Sequence, residues 1–161
     1  LPVDTRGLIH ENEVANLNAL ADYLNSTFSN DYSKDQRLTT SSTFGSYEGK
    51  DLIDGDKNSY WVSKTNDQKP TIALFLAHPV KVNTFMIQEY LPMGQRIKSF
   101  YFEILSEGNW KKVYEGTTVG NKRLIRFKTQ DVEGVRFTVT DTKAQVVLSN
   151  MGLYKAPDLN N

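Results

Sequence analysis

Thr71-Ile72-Ala73-Leu74-Phe75-Leu76 and Lys81-Val82-Asn83-Thr84-Phe85-Met86-Ile87, parted by a turn at His78-Pro79, are the stretches whose reading decides the fold. Both are rich in branched and aromatic residues, which suit a pleated, half-buried surface. From Gln36 onward the hydrophobic period is two, and similar runs recur at Phe100–Leu105, Lys111–Tyr114, Arg123–Phe127, Val135–Thr140, Val146–Leu148 and Met151–Tyr154. Glycine, proline and asparagine separate them at short intervals. Many short strands without intervening helices predict an all-β protein: an antiparallel β-sandwich with its core between two sheets and its loops gathered at the ends.

The N-terminal segment differs in kind. Val14, Leu17, Leu20, Ala21, Leu24 and Phe28 fall on one helical face, with Glu13, Asn16, Asn18, Asp22 and Asn25 opposite, so residues 12–28 read as an amphipathic α-helix preceding the sandwich. A lone helix of this length is marginal in water, so its apolar face must cover the following domain or something beyond it. The division expected is a linker and helix over 1–32, the sandwich over 33–157 and a short tail over 158–161.

Composition narrows the partners. The chain has 161 residues, enough for one well-buried core, and nineteen basic against nineteen acidic residues leave no net charge to favour nucleic acid or an anionic membrane. It contains no cysteine, which removes disulfides, thiol nucleophiles and thiolate zinc sites. No apolar run approaches the roughly 20 residues of a membrane span, and the chain reads as an excised, soluble, monomeric piece. His10 and His78 are its only histidines, one in the linker and one in a turn, so no Ser-His-Asp arrangement is expected and the fragment itself is read as non-catalytic.

The densest chemistry lies in Asp54-Gly55-Asp56-Lys57-Asn58-Ser59-Tyr60-Trp61. Asp54 and Asp56 are hard oxygen ligands, Gly55 permits a sharp turn, and Ser59 adds a hydroxyl or a carbonyl, a set that suits calcium. The same residues are also ordinary turn chemistry. Further on come Ile87-Gln88-Glu89-Tyr90, Gly94-Gln95-Arg96-Ile97, Phe102-Glu103-Ile104 leading to Gly108-Asn109-Trp110, and Gly116-Thr117-Thr118-Val119-Gly120. In this order and spacing the motifs resemble a coagulation factor V/VIII type C (discoidin-like) domain over about Ser33 to Pro157. The variant resembles most closely the domain appended to bacterial family 29 glycoside hydrolases, the alpha-L-fucosidases, which is itself similar to family 32 carbohydrate-binding modules.

The resemblance implies a discoidin-like jelly roll attached to a catalytic domain, with the N-terminal segment running out of that domain's barrel. It implies a structural calcium ion at the Asp51 carbonyl, Asp54, Asp56, Ser59 and, at the last strand, Asn150, where the family commonly carries Glu. It implies a glycan site built from loops, here Asn66 in the first, Glu89, Tyr90, Gln95 and Arg96 in the second, and Lys122 in the third. The His and Asn that grip galactose-type rings in similar modules have no counterpart. Glu89 and Arg96 also suit an ion pair that fixes their loop, and Trp61 and Trp110 suit the core.

Three functions follow as expectations: a carbohydrate-binding accessory module of a glycosidase, a brace between domains without a sugar site, or a phospholipid or protein reader using Leu91, Pro92 and Met93. The first ranks highest. The parent is expected to be an exported alpha-L-fucosidase or beta-N-acetylhexosaminidase (chitobiase) of a bacterium, placed in the periplasm or secreted.

Overall fold

The computed structural model describes residues 7–56 and 58–158. The linker reading of residues 1–6 and the end of the tail from 159 lie outside the described residues. Helix α1 spans Glu11–Phe28. Seven strands follow among the described residues: β1 Arg37–Thr40, β2 Trp61–Val62, β3 Thr71–Glu89, β4 Ile97–Ser106, β5 Asn109–Gly116, β6 Arg123–Thr142 and β7 Val147–Tyr154. All pairings are antiparallel, in the order β2-β7-β3-β6-β4-β5 with β1 also on β3.

The two stretches around His78-Pro79 form one bent strand rather than two. Its first half, Ile72–Phe75, pairs with β1, and its second half, Thr84–Glu89, pairs with β7. Strand β6 bends beside it, so that only its second half, Gly134–Thr142, pairs with β4. Each long strand therefore contributes one half to each of two sheets. Pairing between β3 and β6 breaks between Phe75 and Val80, where Pro79 has no N–H to donate. Opposite the break, Gly134 lies so close that a Cβ there would meet the Leu74 carbonyl oxygen at 2.6 Å.

The halves close on an aromatic core. Phe85 of β3 stacks on Phe102 of β4 at 4.3 Å, and Phe102 in turn approaches Phe127 of β6 at 5.8 Å. Trp61 is fully buried as the sequence implies, and its indole N–H donates to the Ser42 carbonyl at 3.0 Å. Trp110 departs from expectation. It is half-buried on β5, at the outer edge of a sheet, with Phe75 edge-on and the Arg136 guanidinium 4.3 Å above its ring. An edge strand offers a large ring no second layer to enter, so a cation covers it instead.

Helix α1 begins at His10, whose Nδ1 accepts from the Asn12 N–H at 3.2 Å, and Glu11 and Glu13 favour the positive end of its dipole. Its C-terminal end alone touches the sandwich. Phe28 meets Tyr154 edge-on at 4.9 Å, and Tyr23 hydrogen-bonds Arg126. The following turn is held by Asp31: Oδ1 accepts from Ser33 and from the Leu153 N–H, while Oδ2 accepts from the Tyr154 hydroxyl at 3.1 Å. Leu17, Leu20 and Leu24 remain 40–52% exposed. Of the two coverings open to the apolar face, the following domain supplies almost none.

Candidate functional site

Strand β3 ends at Glu89, and the chain turns through a 3-10 segment at Leu91–Met93 before Gly94, with φ of 82°, leads into β4. Glu89 is 2% exposed. Its Oε1 accepts from the backbone N–H groups of Arg96 at 2.7 Å and Ile97 at 2.9 Å, and its Oε2 from that of Gly120 at 2.8 Å. Three of the carboxylate's roughly four acceptor sites are thus taken by backbone donors, so its main work is to hold the chain. The expected ion pair with Arg96 is absent, because the Arg96 guanidinium turns to the carbonyls of Met93 and Gln145 at 3.2 and 3.0 Å. Both side chains organise loops. Glu89 ties the turn after β3 to the loop between β5 and β6, and Arg96 ties it to the loop before β7.

The other residues proposed for a sugar scatter. Gln95 is exposed, with its amide nitrogen 2.9 Å from where a Cβ on Gly120 would stand. Asn66 is exposed on the turn Lys64–Asp67, which Asp67 fastens by accepting from Ser41 and Ser42 at 2.5 Å each, and this turn lines no part of the groove described next. Tyr90 and Lys122 do come together. With Glu89, also a residue expected at the site, and with Gln88, Asn121, Asn150 and Tyr154 they line a groove of about 620 Å³ beside β3 and β7. The Gln88 amide donates to the Asn121 carbonyl at 2.8 Å, which fixes the groove wall.

Beside it stands a feature that sequence reasoning missed. The rings of Tyr47, Tyr60 and Tyr90 form a stack, Tyr47 to Tyr60 at 4.8 Å and 16°, Tyr60 to Tyr90 at 4.2 Å and 18°. Two connections supply them: Tyr47 and Tyr60 come from the long one between β1 and β2, and Tyr90 from the turn after β3. The Tyr60 phenol is held above its usual range, first by its hydrogen bond to Tyr47 and then by desolvation. Tyr90 thus has one face against Tyr60 and is itself part of the groove lining. Nothing in the spacing of residues 47, 60 and 90 announces this, because the loops meet only in the folded chain.

The turn proposed for calcium gathers oxygen atoms at Ser59. Its hydroxyl lies 3.1 Å from the Asp51 carbonyl, 2.9 Å from Asp54 Oδ1 and 2.9 Å from the Asp56 carbonyl. One hydroxyl carries one hydrogen and satisfies one of the three, so the convergence suits a hard cation in chemistry. The Asp56 carboxylate points elsewhere, accepting from the Asn58 N–H at 2.8 Å. The Asp51 carboxyl caps the 3-10 turn at Glu48 N–H and is raised above its usual range chiefly by desolvation. Asn150 sits on β7 opposite Gln88, in a smaller recess shared with Gly55. Among the described residues no three acidic or histidine side chains cluster.

A bent two-sheet sandwich whose connecting loops share one buried carboxylate and raise an aromatic stack beside a groove defines a discoidin-like module. The F5/8 type C domain model matches residues 37–151, and the chain belongs to that family. It is 31% identical to Alpha-L-fucosidase 1 of Arabidopsis thaliana, an alignment that covers 96% of this chain and 32% of that protein. The chain thus spans about a third of the length of the curated relatives it matches. Among solved structures, SpGH29 superposes with a TM-score of 0.92 at 27% identity, over 98% of this chain and 35% of that one. A chitosan-binding module from a Paenibacillus chitosanase/glucanase shares the fold, with a TM-score of 0.71 at 21% identity over 78% of this chain and 98% of the module.

Among the described residues no helix is long and apolar enough to cross a membrane. Leu91 and Met93 are 40% and 44% exposed, and Phe44, which the sequence did not single out, is 49% exposed.

Proposed function

We propose that this chain is a non-catalytic carbohydrate-binding accessory module of an exported glycoside hydrolase, with the glycan laid against Tyr90 in the groove. The tyrosine stack carries the reading. A sugar ring offers an apolar face that needs a planar partner, and its hydroxyls need a few fixed polar groups. Tyr90 is braced by Tyr60 and Tyr47, so it presents its face without the entropy cost of ordering a free ring. Gln88, Asn121, Lys122 and Asn150 supply amide and ammonium groups along the groove. Of the residues expected at the site, Tyr90 and Lys122 are kept as ligand contacts, whereas Glu89 and Arg96 are assigned to loop positioning and Asn66 and Gln95 are left outside.

An accessory module need not bind tightly. Linked to an enzyme, a weak site still raises the local concentration of substrate. An alpha-L-fucosidase is favoured as the parent over a beta-N-acetylhexosaminidase, because the curated relatives of this chain carry the fucosidase name. Calcium is proposed as a fastener of the Asp54 turn, held by the carbonyls of Asp51 and Asp56, the Asp54 carboxylate and the Ser59 hydroxyl. When bound it supplies charge neutralisation and loop rigidity, with no catalytic part.

The test is titration of the 161-residue chain with methyl glycosides of fucose, galactose and N-acetylglucosamine and with glucosamine oligomers, followed by amide chemical shifts. Shifts gathered on Gln88, Tyr90, Asn121 and Lys122 are expected with at least one sugar. Shifts gathered elsewhere, or none at about 50 mM sugar, would sink the site.

A further inference from the structure

We infer that the groove takes a run of linked sugars rather than one terminal sugar, and that Phe28 of α1 is its second aromatic contact. This deepens the proposed sugar site and rests on it. Tyr90 lines the groove beside Leu91 and Pro92, and Phe28 lines it beside Tyr154. Strand β3 measures what lies between. Met86 and Gln88, two residues apart and so on one face of the strand, both line the groove. Gln88 stands opposite Asn150 of β7, and Met86 opposite Gly152. Tyr154 reaches back over Gly152, where a Cβ would meet its ring at 2.6 Å. Phe28 meets that same ring edge-on at 4.9 Å. Phe28 and Tyr154 thus stand level with Met86, four residues of chain from Tyr90, or about 13 Å at the rise of an extended strand. A single pyranose ring is much shorter than that, whereas a short oligosaccharide spans it.

The lining between the two ends suits hydroxyl groups. Among the described residues, the side chains of Asn121, Lys122 and Asn150 make no hydrogen bond or ion pair within the chain, so their polar atoms are available to a ligand. The volume agrees with the length. At about 620 Å³ the groove falls among the clefts of roughly 300–1,000 Å³ that bury a drug-sized molecule, which is more than one sugar fills. The two aromatic ends are held independently of each other. Tyr90 stacks on Tyr60, whereas Phe28 rests on Tyr154, whose hydroxyl donates to Asp31 at 3.1 Å. Tyr154 is buried and acts as the support, while Phe28 is 37% exposed and keeps ring surface for a ligand. Phe28 is also the last residue of α1 and precedes residue 37, where the family match begins. The matched sandwich therefore carries the Tyr90 end of the groove but not the Phe28 end, and the site is incomplete without the helix.

Calorimetric titration of the 161-residue chain with fucose, galactose and N-acetylglucosamine, each as the methyl glycoside and as linear oligomers of increasing length, tests the inference. Affinity is expected to rise at least about 10-fold between a methyl glycoside and the oligomer that first spans the groove, then to level off as units are added. That gain exceeds the few-fold that extra binding registers on a longer chain supply by counting alone. Phe28→Leu keeps an apolar side chain on Tyr154 and removes the ring, and it is expected to weaken the oligomer at least about 5-fold more than the methyl glycoside. Amide shifts give the same contrast without a substitution: the methyl glycoside moves Gln88 and Tyr90, and the oligomer adds Phe28 and Gly152. Equal affinity for methyl glycoside and oligomers would overturn the inference and leave the single-sugar site standing. So would oligomer shifts that spare Phe28 and Gly152, or a loss in Phe28→Leu shared equally by both ligands, since Phe28 would then support the fold without touching the chain of sugars. No binding at any length would remove the sugar site and this inference together.

Discussion

Glu89 and Gly120 are bonded twice: the Glu89 carboxylate accepts from the Gly120 N–H at 2.8 Å, and the Glu89 N–H donates to the Gly120 carbonyl at 3.0 Å. With the Arg96 and Ile97 amides on its other oxygen, this one side chain sets the mutual position of the loops that carry Tyr90 and Lys122. Replacing it by glutamine puts an NH2 against at least one backbone N–H and leaves a buried donor unmatched. The expected cost is about 2–4 kcal/mol in urea unfolding, with alanine at least as severe. A change below about 0.5 kcal/mol would show that the loops hold their places without the carboxylate.

Tyr90 and Tyr47 occupy opposite ends of one stack, which separates contact from support. Tyr90→Ala removes the face offered to the sugar and is expected to weaken binding at least about 10-fold, near the worth of a well-stacked aromatic contact. Tyr47→Ala removes a brace two rings away and is expected to weaken binding by less than about 3-fold. Calorimetric titration of both variants measures this, and equal losses would place the sugar on the whole stack rather than in the groove.

The sandwich was legible because alternation survives in each half-strand: Phe100, Phe102 and Ile104 point inward in turn along β4. What escaped reading was continuity. A bend at His78-Pro79 looks like a terminus in a linear sequence, yet paired register resumes at Val80 with Val132 on the same partner. Strands β1 and β2 escaped for another reason, since Arg37–Thr40 and Trp61–Val62 are too short to show a period. At the site, Tyr90 and Lys122 could be chosen by residue type and loop position. Glu89 could not be told from a ligand, because the burial of a charged side chain is decided by backbone donors that lie 7 and 31 residues away.

The Asp54 turn makes its own prediction. Ser59 stands within 3.1 Å of three acceptors, of which Asp54 Oδ1 also accepts from the Asp56 N–H at 2.8 Å, so a cation bound to this convergent oxygen set in the folded chain alone should stabilise it. Saturating calcium is expected to raise the melting temperature by about 3–8 °C over EDTA, and Asp54→Asn to remove most of that gain. Identical melting in calcium and EDTA would assign the turn to hydrogen bonding alone.

The alkaline limit of stability is expected to run through Tyr154. Its phenol is buried, and desolvation, then the neighbouring Asp31 charge, then its hydrogen bond to Asp31 all raise its pKa well above the usual phenol value. In the folded chain the neutral form is kept, while the unfolded chain ionises near pH 10, so above that pH the unfolded state holds fewer protons. Stability contributed by the neutral phenol is thus fully present below pH 10 and falls as pH rises toward the folded value, at about 1.4 kcal/mol per pH unit for this one group. Tyr154→Phe leaves Asp31 Oδ2 without its 3.1 Å partner, so it is expected to be less stable at pH 7. It should also flatten the fall between pH 10 and 11.5 by the slope of one proton. Urea unfolding of both proteins across that range, in which the lysine contributions cancel in the difference, decides it: parallel curves would mean that Tyr154 reaches water and ionises in the folded chain.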